Sequence, residues 1–390
     1  MAIVHLTRGQ HRALRGHPWI FGNEVERVGG ECRPGDLVTV VDHRGRFVGR
    51  GFINPASSIL VRLLTREDEP VDDDWWLARL RTAWSWRQPF LGEEQDSCRV
   101  VFAEADGLPG LIADKFASTL VMQTLSLGVD TRKDLLVEGL RSLTGVNRVY
   151  LRNDAPVREL EGLPVQVGPW PGGEGRVRIT ENGFPFWVDV KQGQKTGHFL
   201  DQRLNRAALA PFCPGARVLD VFSYTGGFAV HAARYGATQV VAVESSPWAA
   251  EMIRRNADLN GVGGHISVEV ANAFDWLRAA ERTSGSYDLV VLDPPAFARS
   301  RQSLEGAWRG YKEINLRALK LLAPGGHLVT CSCSSHLPLD SFLEVVTEAA
   351  ADAGRKVVLL EMRGQPPDHP VLLTYPESRY LKCLICHVSA

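Results

Sequence analysis

From residue 215 onward the chain alternates short β-branched runs with helix-length segments, and that rhythm is its most constraining feature. Strands are expected at "ARVLDVF", "QVVAVES", "ISVEVAN", "YDLVVLDPP" and "HLVTCSC". Helices are expected near 228–235, 247–259, 274–281 and 303–322. Strictly alternating strand and helix builds a mostly parallel sheet covered on both faces, an α/β fold of the Rossmann-like, doubly wound kind. Two further strands, "KVVLLEM" and "YLKCLICHV", close the chain and bring the sheet to seven. Ligands of such sheets bind beyond the carboxyl ends of the strands, so those ends are where chemistry is sought.

Four strand ends carry suggestive residues. The first strand ends at Asp220 and runs through "FSYTGGF" into a helix. Its paired Gly226 and Gly227 would let a ligand approach the backbone closely. The spacing is not G-x-G-x-x-G, so the dinucleotide fingerprint is absent. The second strand ends at Glu244, 18 residues after Gly226, where a carboxylate can accept from both ribose hydroxyls. The third ends at Asn272, whose amide could read an adenine edge, with Asp275 in the helix beyond. The fourth ends in Asp293-Pro294-Pro295, where the prolines offer no backbone donors and leave carbonyls and a carboxylate facing a substrate amine. S-adenosylmethionine has no phosphates to cradle; it carries an ammonium and a sulfonium and favours carboxylates. The set therefore points to a methyltransferase rather than a dehydrogenase.

At 390 residues there is room for two or three domains. Residues 1–72 read as a small β unit, with "DLVTVVD" and "FVGRGFI" joined by a turn, then "SSILVRLL". The acidic stretch "EDEPVDDDW" is a linker. Residues 73–187 read as a central α+β unit, with a helix over 76–92, strands around the "DGLPG" turn, a helix over 130–143 and a strand over 147–152. A loop at 168–177 and a hairpin turning at Asn182-Gly183 complete it. Residues 188–390 form the third unit. Charge is nearly balanced overall, at −1, but residues 1–66 hold ten arginines, no lysine and five carboxylates. Arg8, Arg12, Arg15 and Arg50, interleaved with aromatics, suit phosphates and bases. Trp19 and Phe21 read as core. No apolar run approaches the roughly 18 residues of a membrane helix, and the first residues lack a signal peptide's apolar centre, which favours the cytoplasm.

The seven cysteines are too sparse for a disulfide scaffold. Cys331 and Cys333 lie one residue apart at the end of an expected strand, and since side chains alternate they share a face. Three readings compete. Both can be buried apolar thiols. They can join Cys383 and Cys386 around zinc, although the latter two lie three apart on a strand and so face opposite sides, which argues for no metal. Or one is a nucleophile. Carbon 5 of a pyrimidine becomes nucleophilic only after a thiolate adds at carbon 6. Cys333 is nearer the ligand edge and takes that role; Cys331 could assist from the neighbouring pleat.

With these residues in place the chain resembles the RlmI-type 23S ribosomal RNA cytosine methyltransferases. "GHPWIF" and "VGRGFINPASSILVR" resemble that family's N-terminal PUA β-barrel, and "EADGLPGLIADKF" its central α/β domain. "GQKTGHFLDQR", "LDVFSYTGGF", "DPPAF" and Ser332-Cys333-Ser334 resemble the motifs of its methyltransferase domain. The resemblance implies 5-methylcytosine formation with S-adenosylmethionine as cofactor and 23S rRNA, or a large-subunit assembly intermediate, as partner. It implies Cys333 as nucleophile and Asp293 at nitrogen 3 or the exocyclic amine of the base. Asp220, Phe222, Tyr224, Thr225, Gly226, Gly227, Glu244, Asn272 and Asp293 would line the cofactor site, with Asn272 standing where the family usually has Asp. Lys195, Thr196, Asp201 and Arg203 would frame the site or hold RNA. Ala296 stands where many cytosine methyltransferases have a second cysteine, an absence shared by the RlmI-like group, so the base that removes the carbon 5 proton is unassigned. Methylation of an exocyclic amine or a guanine nitrogen needs no thiol and is the enzyme alternative; a non-catalytic assembly factor, which would not bind the cofactor, is the other. Oligomeric state stays open, a homodimer included.

Overall fold

The computed structural model describes all residues except 10, 171–174, 284–285, 299–302 and 390. The middle of the expected loop at 168–177 therefore lies outside the described residues. Two compact units emerge. One comprises Met1–Thr180, Val188–Leu200 and Pro367–Ser378; the other comprises Glu181–Trp187, Asp201–Pro366 and Arg379–Ala390. This division differs from three consecutive domains: residues 1–180 belong to one body, residues 188–200 and the 12 residues 367–378 join it, and residues 181–187 fall in the other.

The first unit holds two sheets. Strands β1 (Ala2–Leu6), β2 (Trp19–Phe21), β3 (Val25–Gly29), β4 (Leu37–Val41), β5 (Phe47–Ile53) and β6 (Ile59–Thr65) form a six-stranded sheet in the order β2-β6-β5-β4-β1-β3. Alternate residues Val4, Leu6, Val38, Val40, Val61 and Leu63 turn inward to one core, as the period of two dictates. Strands β7 (Cys98–Phe102), β8 (Leu111–Phe116), β9 (Thr119–Thr124), β10 (Arg148–Asn153) and β11 (Gln166–Trp170) form the second sheet, in the order β11-β10-β9-β8-β7. Helix α1 (Asp73–Ser85) packs with it, as does α3 (Lys133–Thr144); short turns α2 (Leu127–Asp130) and α4 (Val157–Leu160) fill connections. The Asp72 carboxylate caps α1 by accepting from Trp75 N at 3.0 Å, so the acidic stretch expected to be a linker is in part a helix start. Trp19 and Phe21 are half-buried; the fully buried residue of that strand is Ile20 between them. The Trp19 indole instead donates to Glu104 at 2.8 Å.

A hairpin of β12 (Arg176–Glu181) and β13 (Phe184–Asp189) turns at Asn182 and Gly183, with φ of 52° and 78°, the left-handed pair that such a two-residue turn requires.

The second unit is built on β14 (Arg217–Val221), β15 (Gln239–Glu244), β16 (Ile266–Val270), β17 (Tyr287–Leu292), β18 (Leu322–Ser332), β19 (Lys356–Arg363) and β20 (Lys382–Ser389), in the order β16-β15-β14-β17-β18-β20-β19. β20 runs antiparallel between β18 and β19, and the other pairs up to β18 are parallel. The chain enters through the five-residue α5 (Arg203–Ala207). One face of the sheet packs α6 (Gly227–Arg234) and α7 (Pro247–Leu259) through Phe228, Ala232, Ile253 and Ala257. The other packs α8 (Ala273–Thr283), α9 (Leu304–Leu321) and α10 (Leu339–Ala353) through Leu277, Tyr311, Ile314 and Phe342. In α9 the buried Tyr311, Ile314, Asn315, Ala318 and Leu319 recur at the 3.6-residue period of a one-faced helix. Helix α10 was not among the expected elements. No helix of the described residues is long and apolar enough to cross a membrane.

Candidate active site at the carboxyl edge of the seven-stranded sheet

The switch point of the sheet falls between β14 and β15 on one side and β17 and β18 on the other. Residues 222–226 leave β14 through an unusual backbone: Phe222, Tyr224 and Gly226 have φ of 66°, 50° and 84°. A non-glycine residue held there costs on the order of 1–3 kcal/mol, so the loop needs outside support. The Glu244 carboxylate at the end of β15 supplies it, accepting from Tyr224 N at 2.9 Å and from Ser246 N at 2.8 Å. Ser246 in turn caps α7, accepting from Ala249 N at 3.3 Å, with Pro247 at the first helical position. Asp220 is buried beneath the loop. Its Oδ2 accepts from Ser223 Oγ at 2.5 Å and Ala229 N at 3.0 Å, while Oδ1 has no hydrogen-bond partner. Burial pushes its carboxyl up to about 6, against the pull of those two donors.

The two glycines do different work. Gly226 supplies a left-handed turn against Ile253. A Cβ on Gly227 would come within 2.5 Å of the Arg206 side chain, so that space belongs to a buried guanidinium rather than to a ligand. Arg206 pairs with Glu181 at 2.7 Å. Thr225 is buried, its carbonyl accepting from Asn256 Nδ2 at 2.9 Å. Asn272 is exposed and its Oδ1 accepts from Phe274 N at 2.9 Å, making it the cap of α8. Beside it, Phe222, Phe274 and Phe297 gather with ring centroids 5.8–6.4 Å apart.

On the other side of the switch point Asp293 follows β17, half-buried. Gln202 Nε2 donates to its Oδ1 at 2.8 Å, and Asn205 Nδ2 donates to Gln202 Oε1 at 2.6 Å, which fixes the amide's orientation. Burial, then the negative charge of Asp201, pushes Asp293 up to about 7, outweighing Arg206 and Gln202. The carboxyl is thus poised to exchange a proton at neutral pH.

Strand β18 ends at Ser332, so Cys333 lies just past it and is no longer bound by strand alternation. Its Sγ lies 3.8 Å from the Pro294 carbonyl, next to Asp293. Cys331 has a different setting. It is fully buried opposite Cys383 on β20, and the hydrogen bond between the two thiols, then burial, raises it well above an ordinary thiol. A thiol held protonated there cannot assist from the next pleat, and it belongs to the core. Cys386 packs on the opposite face of the sheet from Cys383. Among the described residues no three His, Cys, Asp or Glu side chains are gathered to hold a metal ion.

A family profile described as S-adenosylmethionine-dependent methyltransferase matches residues 160–383, and one described as PUA-like domain matches residues 4–66. Ribosomal RNA large subunit methyltransferase I of Cronobacter sakazakii is 40% identical over 389 residues, covering 98% of each chain. The protein of the same name from Aeromonas salmonicida is 42% identical over 388 residues, again covering 98% of each. The chain belongs to the ribosomal RNA large subunit methyltransferase I family. A putative S-adenosylmethionine-dependent methyltransferase from Streptococcus mutans shares its fold, with a TM-score of 0.84 at 19% identity, covering 99% of this chain and 100% of the other. A second such structure, of a putative methyltransferase complexed with SAH, gives 0.84 at 20% identity, covering 99% of each.

As a member of this family the chain uses S-adenosylmethionine. The donor set at β14 and β15 fits that cofactor: a fixed carboxylate at Glu244, an unpartnered buried oxygen on Asp220 and a left-handed loop between them. Phe274 and Phe297 are site-edge residues that pattern reading missed. Gln202, Arg206, Tyr311 and Lys382 were missed too, since each is distant in sequence from the residue it supports.

The remaining expected residues lie elsewhere. In the first unit Lys195 is exposed at a φ of 51°, its ammonium 5.0 Å from the Phe199 ring centroid. Thr196 is buried, donating to Asp114 at 2.6 Å. Arg8 and Arg15 are exposed. Arg12 pairs with Glu377 at 2.6 Å, and Arg50 pairs with Asp68 and donates to the Glu69 carbonyl, so both cations are partly spent within the protein. In the second unit Arg203 is only 3% exposed, which withdraws it from the surface set suited to RNA phosphates.

Proposed function

We propose that this protein methylates carbon 5 of a cytosine in large-subunit ribosomal RNA through a covalent bond from Cys333 to the base. The observation that carries the reading is the pairing at one sheet edge of a partly accessible thiol, Cys333, with a carboxyl, Asp293, that titrates near neutrality. The relatives' name supplies the substrate class, and the cytoplasm is where such a substrate is made.

Bound S-adenosylmethionine supplies an electrophilic methyl group. Glu244 and the loop 222–226 would hold it, and the phenylalanine trio would flank its base. The Cys333 thiolate adds to carbon 6 of cytosine. The electron pair of the 5,6 double bond moves to carbon 5, and Asp293 in its protonated form donates to nitrogen 3 to stabilise the adduct. Carbon 5 takes the methyl group with that electron pair, and its proton then passes to water. The electrons of the carbon–hydrogen bond restore the double bond as the carbon–sulfur bond breaks and the thiolate leaves. Asp293 must carry the proton early and tolerate its loss later, which suits a value of about 7.

Nucleoside mass spectrometry of unmodified 23S RNA treated with protein and labelled cofactor tests the reading. Labelled 5-methylcytidine is expected. A methylated exocyclic amine or guanine nitrogen in its place would overturn it.

A further inference from the structure

The thiol that this reading makes a nucleophile sits on a short loop just past β18, and two sets of side chains hold that loop. The flanking serines form a bracket on α9: Ser332 Oγ donates to Tyr311 Oη at 3.1 Å, and Tyr311 Oη lies 3.0 Å from Ser334 Oγ. Ser334 Oγ also accepts from Ala298 N at 3.2 Å, tying the bracket to the chain just after Asp293-Pro294-Pro295.

The second support is a lysine at the start of β20. Lys382 is 4% exposed, rare for this residue type. Its Nζ donates to the carbonyl of Ser334 at 2.5 Å and to that of Leu337 at 2.9 Å. Both carbonyls belong to the loop that begins at Cys333. Among the described residues no carboxylate is paired with Lys382, and the anionic form of Cys333 is the group that favours its charge. Burial and the neighbouring Arg379 lower it to about 8, so the ammonium is retained at neutral pH without the strength of an ordinary lysine. Tyr311, raised by burial, stays neutral there.

We propose that Lys382 is a positioning residue for the methyl transfer: it clamps the loop 333–337 through two carbonyls and stabilises negative charge on the Cys333 sulfur. A neutral lysine would be cheaper to bury, and an apolar residue cheaper still. Retaining a cation at this depth is accounted for by a nearby group that must become an anion. The inference rests on Cys333 being the nucleophile, but its test does not require turnover.

The experiment is the rate of Cys333 alkylation by iodoacetamide at pH 7.5, read by peptide mass spectrometry so that the other cysteines are separated, in wild type, Lys382→Met and Lys382→Arg. Loss of one opposite charge beside an ionisable group shifts its equilibrium by about tenfold, so Lys382→Met is expected to react roughly ten times more slowly. Lys382→Arg is expected to recover most of that loss. Equal rates in wild type and Lys382→Met overturn the proposal. Should Lys382→Met not fold, wild type alone decides. The ratio of anionic iodoacetate to neutral iodoacetamide rates is expected to be higher at Cys333 than at Cys32, and an equal or lower ratio overturns it. If the lysine effect appears but Cys333→Ala still makes 5-methylcytidine, the electrostatic inference holds and the nucleophile assignment falls.

Discussion

The two halves of the sheet edge reach the same end, a fixed functional group, by different means. On the β14–β15 half the backbone does the fixing. Phe222, Tyr224 and Gly226 adopt left-handed conformations, and one carboxylate, Glu244, ties them through a main-chain N–H. On the β17–β18 half side chains from remote segments do it: Gln202 on Asp293, Tyr311 on the two serines, Lys382 on the loop after Cys333. A backbone-built site is stiff and its residues adjoin in sequence. A side-chain-built site can tune charge, and its parts are up to 180 positions apart in sequence, as Gln202 and Lys382 are.

That contrast makes the halves separable by mutation. The largest effect is expected for Cys333→Ala: a loss of roughly 1000-fold or more in methyl transfer with cofactor affinity unchanged, since the thiol acts only on the base. Isothermal titration beside a transfer assay checks both. Asp293→Asn comes next, with transfer reduced by roughly 100-fold. This variant also carries a stability signature. A carboxyl raised in the folded state stabilises the protein fully below its unfolded value near 4, and that contribution is lost as pH rises through about 7. Asp293→Asn is thus expected to be more stable than wild type at pH 8, by on the order of 2 kcal/mol, and to lose that advantage at pH 4. Urea midpoints at the two pH values measure it; an advantage independent of pH would contradict the assigned titration.

On the backbone-built half, Glu244→Ala is expected to weaken cofactor binding by roughly 30-fold while leaving the maximal rate within a few-fold, the pattern of lost uniform binding. Tyr311→Phe removes the hydroxyl shared by Ser332 and Ser334 and is expected to cost about 1–2 kcal/mol of stability, with a several-fold drop in maximal rate and unchanged cofactor affinity. The smallest effect belongs to Asn272→Asp. Aspartate caps a helix as well as asparagine, so stability within about 0.5 kcal/mol of wild type is expected.

The same contrast explains what could be read from the sequence. The strand and helix rhythm after residue 215 was legible because hydrophobic periodicity is local, and the helix expected near 247–259 runs over Pro247–Leu259, where Ser246 and Pro247 start it. The glycine loop and Glu244 were legible for the same reason. Helix α10 was passed over between two stronger strand signals, although its Phe342, Val345, Val346, Ala349 and Ala350 keep helical spacing. Lys382 and Gln202 carried no local signal, because a lysine in "YLKC" and a glutamine in "LDQR" look like surface residues until tertiary structure buries them. Arg203 misled in the same way, as charge predicts exposure only on average. Domain division was blurred because the segment 367–378, which follows 188–200 only after the long stretch 201–366, returns to the first unit, which no composition shift announces.

The most direct test of the central claim uses RNA carrying 5-fluorocytidine, whose carbon 5 has no proton to lose and so arrests the reaction with sulfur still bonded to carbon 6. Wild-type protein with S-adenosylmethionine should form a denaturation-resistant complex whose cross-linked peptide contains Cys333, and Cys333→Ala should form none. An equally abundant covalent complex from Cys333→Ala, or none from an active wild type, would contradict the account.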